Sequence, residues 1–135
     1  MKKFIKVNIF KAYRNLMHNF KELKVWQLGI EISKQTFLIT SNFPSAERYS
    51  LTSQLTRSAI SIPSNIAEGC GRKSNKEFNQ FLSISLGSAF ELETQIILAY
   101  EFGYIETIIY NKTVIQINEI QKMISGLQRS LGIQA

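Results

Sequence analysis

Apolar residues recur every three or four positions along most of this chain, the spacing that lines one side of an α-helix. The first such stretch covers about Leu23 to Ser41. Trp26, Ile30, Ser33, Phe37 and Thr40 form its expected inner side, and Gln27, Glu31, Lys34 and Ser41 mark the wet side. Leu28, Ile32 and Ile39 widen the apolar face. Asn42-Phe43-Pro44 ends the helix, because the residue before a proline is pushed out of helical geometry.

A second helix is predicted from about Ala46 to Cys70. Leu51, Leu55, Ser58, Ile62, Ile66 and Gly69 share one face, with Arg57, Ser61, Asn65 and Glu68 running beside them. A cation, two small polar groups and an anion next to a packed seam predict a polar network at a helix–helix boundary, with Arg57 paired to Glu68. Pro63 has no amide hydrogen and is expected to kink the helix. Gly69-Cys70-Gly71 is expected to close it through a glycine in the left-handed conformation.

Ser74-Asn75-Lys76-Glu77 opens a third helix with a capping-box pattern, in which the Ser74 hydroxyl takes the Glu77 amide and the Glu77 carboxylate reaches back. Phe78, Phe81/Leu82, Ser85, Ala89, Leu92, Ile96 and Ala99 follow as its inner face, ending near Gly103. Ile109, Thr113, Ile117, Ile120, Ile124, Leu127 and Leu131 predict a fourth helix from about Thr107 to Gly132. Short loops between amphipathic helices imply antiparallel neighbours. The predicted fold is all-α, an antiparallel up-down-up-down four-helix bundle over 23–135, preceded by a basic N-terminal arm over 1–22.

The third helix is apolar nearly all round, since Ile84, Phe90, Ile97 and Leu98 lie off its inner face. These four residues are the expected contacts of a homo-oligomer.

Charge is unevenly spread. Residues 1–24 hold seven Lys/Arg and one acid, Glu22, whereas residues 25–135 hold nine basic and nine acidic residues, so the excess of +6 belongs to the arm. Lys2, Lys3, Lys6, Lys11 and Arg14 in the arm, with Arg72, Lys73 and Lys76 at the start of the third helix, are the candidate contacts for nucleic acid or another anion. The corner at Arg72 reads equally as a solvated, capped turn. In the arm, Phe4, Phe10, Tyr13 and Phe20 alternate with basic residues, which suits stacking on single-stranded bases. The same arm, with Ile5, Ile9, Leu16 and Met17, equally suits an amphipathic segment packed on the bundle or on a membrane surface.

Enzyme chemistry finds little material. With one histidine (His18), one cysteine (Cys70) and no aspartate, neither a nucleophilic triad nor a His-rich metal cluster is expected. Glu68, Glu91 and Glu93 lack the Glu-x-x-His partners of a bundle metal site. No catalytic residue, metal or cofactor is expected. A single cysteine allows no intrachain disulfide and points to the cytoplasm, and no unbroken apolar run reaches the roughly 18–20 residues of a transmembrane segment.

One string is specific: Ser61-Ile62-Pro63-Ser64-Asn65-Ile66-Ala67-Glu68-Gly69. With Val25-Trp26-Gln27, Asn42-Phe43-Pro44, Glu47 through Gln54, Glu77-Phe78, Leu86-Gly87-Ser88, Glu91 through Gln95 and Gly103-Tyr104, it resembles the S23-type bundle proteins. Genes for that family lie inside intervening sequences of 23S ribosomal RNA genes. The resemblance runs from about Phe20 to Leu131 and implies a ring-shaped homo-oligomer, commonly a pentamer. It also implies a distant kinship with the accessory subunit of diversity-generating retroelements, which binds a reverse transcriptase and nucleic acid. Similar proteins start near the FKELKVWQ segment, so Met17 resembles their usual initiator and residues 1–16 an upstream extension. Gly29, Ser33 and Thr36 stand where the family is usually bulkier, a departure that bears on how tightly the first helix packs.

Together these features lead us to expect a non-catalytic, oligomeric helical scaffold associated with RNA. The competing expectation is a protein-interaction module that recruits a partner enzyme such as a reverse transcriptase, with no direct role for nucleic acid.

Overall fold

The structure is a computed structural model and describes residues 19–132. A 3-10 turn at Phe20–Glu22 leads into α1 (Lys24–Thr40), and a second at Ser45–Glu47 precedes α2 (Leu51–Cys70). Two longer helices follow, α3 (Asn75–Glu101) and α4 (Thr107–Ser130). Each helix packs on the next, and α4 closes the ring against α1.

Contacts between helices fix their directions. Gly29 lies against Pro63 while Ser33 bonds Ala59; Ser61 meets Ser88 while Ser58 meets Gln95; Gln121 meets Glu93 while Gln128 meets Ser83. In each pair the number rises on one helix as it falls on the other, so neighbours are antiparallel. The all-α, up-down-up-down bundle read from periodicity is the observed fold.

The core runs the length of the bundle. Leu55, Ile62 and Ile66 of α2, Phe78, Leu82, Leu92 and Ile96 of α3, and Ile117, Ile120 and Ile124 of α4 are almost wholly removed from water. Burying a side chain of this size stabilises the fold by roughly 1.5–3 kcal/mol.

α1 turns a different side inward than its bulky residues suggest. Val25, Gly29, Ile32, Thr36, Ile39 and Thr40 are buried, whereas Trp26, Ile30 and Ser33 are half-buried and Phe37 is exposed. The inner stripe is therefore offset by one residue from the expected one. Small side chains make this possible. A Cβ on Gly29 would lie 3.1 Å from Pro63 Cβ, so glycine lets α1 approach α2 closely. Packing here is tight, although these positions are small.

α2 starts later than expected because the chain before it bonds to itself. The Ser50 hydroxyl donates to Glu47 Oε2 (2.7 Å), and Ser50 leaves helical dihedrals (φ −119°, ψ −101°). At its other end Gly71 stays right-handed (φ −81°), so the expected left-handed glycine stop is not used there. Gly69 serves a different purpose: a Cβ on it would meet Phe81 Cβ at 2.7 Å. A left-handed glycine does end α3. Gly103 has φ +80°, with Gly103 N–H donating to Tyr100 O (2.9 Å) and Tyr104 N–H to Ala99 O (3.0 Å), a Schellman arrangement.

Candidate functional site

Along the α2–α3 boundary the polar side chains form a continuous seam. Ser61 Oγ and Ser88 Oγ share a hydrogen bond of 2.7 Å, and Asn65 Nδ2 donates to Ser61 Oγ (2.9 Å) and to the Ser61 carbonyl (2.8 Å). Toward one end, Ser58 donates to Gln95 Oε1 (2.9 Å) and Gln95 Nε2 to Gln54 Oε1 (3.3 Å). Toward the other, Ser85 donates to the Ile62 carbonyl (2.9 Å).

Ser61 and Asn65 thus belong to a network, as their spacing suggested, but Arg57 and Glu68 do not. Eleven residues separate them on one helix, about 16 Å along its axis at 1.5 Å per residue. No side chains span that gap. Arg57 is exposed and makes no ion pair among the described residues. Glu68 instead accepts from Arg72 Nη2 at 2.8 Å, one turn further on. The seam's other members, Ser85, Ser88 and Gln95, lie 23 to 41 residues from their partners, a separation helical periodicity does not register.

Arg72 is doubly engaged, since its guanidinium also lies 4.7 Å from the centre of the Phe81 ring. Lys73 and Lys76 beside it are exposed. Ser74 caps α3 by accepting from the Glu77 amide at 3.2 Å, while the return bond from the Glu77 carboxylate does not form. Lys2, Lys3, Lys6, Lys11, Arg14 and His18 lie outside the described residues.

The antiparallel order gives the bundle two electrically different ends. One gathers the start of α1, the α2–α3 turn and the end of α4, with Lys21, Lys24, Arg72, Lys73, Lys76 and Arg129 against Glu22, Glu68 and Glu77. Residues 1–18 join the bundle at this end. The opposite end holds Arg48 and Lys112 against Glu47, Glu101 and Glu106. There Tyr104 donates to Glu47 Oε1 (3.3 Å) and tilts against Phe43 (ring centres 5.3 Å apart), tying the two loops together.

On α3, Ile84 (52%), Phe90 (52%), Ile97 (40%) and Leu98 (43%) are exposed in the single chain. Neighbouring helices do not wrap them. They occupy two flanks, Ile84 and Leu98 toward the α2 side where Ser88 and Gln95 bond, Phe90 and Ile97 toward α4. By length and composition alone α3 could cross a membrane, with mean hydropathy 1.2 over an 18-residue window. Its inner face is nonetheless built into the core, as Leu82, Leu92 and Ile96 show.

Cys70 is buried, and burial pushes its thiol from 9.0 up to about 11, so it stays protonated and unreactive at neutral pH. Among the described residues no three His, Cys, Asp or Glu side chains converge as a metal site would require.

A sequence model of the 23S rRNA-intervening sequence proteins matches residues 21–126. The chain belongs to this family. The chain is also similar to a solved structure, a protein of unknown function from the S23 ribosomal protein family of Bacteroides thetaiotaomicron. The two share 25% identity and a TM-score of 0.71 over 77% of this chain and 97% of the other. Comparison with curated proteins gives no match.

Proposed function

We propose that this chain is a non-catalytic, cytoplasmic scaffold that assembles with copies of itself and engages RNA through the basic end of its bundle. The observation that carries the reading is the segregation of charge. Six cations against three acids gather where residues 1–18, with five further cations, join the fold, while the far end is slightly acidic. The family's own name ties it to ribosomal RNA. A protonated, buried Cys70 supports a role without catalysis. The exposed apolar flanks of α3 support self-association, with a pentamer favoured by resemblance.

An electrophoretic shift with structured RNA at two salt concentrations tests the RNA contact. Binding should weaken with salt, and a K73A/K76A double variant should lower the salt slope by roughly one for each phosphate that is no longer neutralised. An unchanged affinity and slope removes this end from the interface. Light scattering tests assembly: Phe90→Glu with Ile97→Glu should lower the solution mass, and a parent protein that is already a monomer overturns it.

A second reading has one specific observation in its favour. Arg72 is already held by Glu68 and Phe81, whereas Lys73 and Lys76 of that turn make no ion pair among the described residues. On this reading the apolar flanks of α3 receive a partner protein, and RNA binding is absent at every salt concentration.

A further inference from the structure

The outer side of α4 carries an apolar ridge of its own. Ile108 (83%) and Ile115 (67%) stand about two turns apart on it, more exposed than any of the four outer apolar residues of α3. Lys112 lies between them and Lys122 about two turns beyond Ile115. Contacts inside the chain set the heights of these residues along the bundle. Glu93 of α3 bonds Gln121 of α4, Ser83 bonds Gln128, and the Tyr100 and Tyr110 rings stack with centres 4.0 Å apart. On that ladder, to within a helical turn, Leu98 stands level with Ile115, Glu101 with Lys112 and Glu91 with Lys122.

We infer that the outer face of α3 in one copy receives the outer face of α4 from a second copy, the two bundles standing side by side and pointing the same way. The inference rests on the self-association proposed above and names the surface that meets α3. In this arrangement α4 of one copy runs antiparallel to α3 of the next, at matching heights. Leu98 then meets Ile115, while Glu101 faces Lys112 and Glu91 faces Lys122, so the charges are complementary in both places. All four charged side chains are exposed and make no ion pair among the described residues of the single chain.

Gly87 fits the same contact. It lies on the outer side of α3 between Ile84 and Phe90, and an added Cβ would meet nothing within 4 Å among the described residues. The backbone there is open to close approach by another helix. A contact of α3 with α3 of another copy would leave Ile108 and Ile115 in water. A contact between two unlike faces uses both ridges, and repeating it around an axis closes a ring.

Light scattering on two variants of the full chain and on their mixture tests this, at a concentration where the parent protein is assembled. Leu98→Glu spoils the α3 face and Ile115→Glu the α4 face, both at exposed positions, so helical circular dichroism should match the parent's. Each variant alone should fall to the mass of one chain. Mixed in equal amounts, they should form a particle of two chains, because the intact α4 face of one meets the intact α3 face of the other and the spoiled faces stop further growth. An Ile115→Glu variant that keeps the parent's mass overturns the proposal, and so does a mixture that stays at one chain; in both cases self-association itself stands. A parent protein that is a monomer at every concentration overturns self-association and this contact together.

Discussion

The Ser33 hydroxyl sits 3.1 Å from the Ala59 carbonyl oxygen, the acceptor that Pro63 leaves without a donor four residues on. The same hydroxyl lies 2.9 Å from the Gly29 carbonyl, so one proton is shared across the α1–α2 contact. A neighbouring helix thus satisfies the group that a proline inside α2 would otherwise orphan, and α2 runs unbroken from Leu51 to Cys70. Ser33→Ala should cost about 1 kcal/mol or somewhat more in chemical denaturation, because it strands a partly buried carbonyl. In a Pro63→Ala background the helix supplies its own donor, and the same change should cost measurably less. Equal costs in both backgrounds would separate Ser33 from the proline.

Gly69 and Gly126 make a matched pair. A methyl at Gly69 would drive into Phe81, so Gly69→Ala should destabilise by about 1–3 kcal/mol. At Gly126 the added Cβ would touch, among the described residues, only the Arg129 guanidinium at 3.7 Å, an ordinary contact. Gly126→Ala should therefore stabilise by about 0.5–1 kcal/mol through helix propensity. Thermal unfolding of the two variants should move in opposite directions.

Cys70 gives the protein an alkaline weakness. Its thiol ionises near 9.0 when unfolded and at about 11 when folded, so between these values the unfolded chain holds fewer protons. The contribution is complete below about pH 9 and is lost as pH rises through about 11. Stability measured by urea titration should fall across that window, and Cys70→Ala should flatten the fall. Native protein at pH 8 should also react with a thiol reagent only as fast as it opens.

Arg57→Ala should change stability by less than about 0.5 kcal/mol, the scatter of surface substitutions, since the side chain is exposed and makes no ion pair among the described residues. Arg72→Ala should cost no more than about 1 kcal/mol, because its bond to Glu68 is itself half in water. Ser88→Ala, which removes the bond from α3 to Ser61 and leaves it only Asn65 inside the seam, should cost about 1 kcal/mol and so exceed Arg57→Ala.

What the sequence made legible was periodicity, and what it hid was distance. The four helices, the Ser74 cap and the glycine stop after α3 all depend on residues within a few positions of one another, where spacing is geometry. The inner face of α1 differs from the one its largest apolar residues predict. Here the interior uses Gly29 and Thr36, and bulky Phe37 and Leu38 stay outside. Arg57 and Glu68 share a side of α2 but not a height on it. Ser61 and Asn65 were recognisable as polar positions beside a seam, whereas Ser88 and Gln95 become their neighbours only once α3 folds back along α2.

The uneven ends of the bundle have a mechanical consequence. α3, at 27 residues, makes a rod about 40 Å long with opposite tendencies at its tips. A body of that kind feels a torque in the field of any polyanion and swings until its axis points at the source. If RNA is bound as proposed, docking should begin tip first rather than broadside, and dissolved salt, by shortening the range of the field, should weaken that alignment.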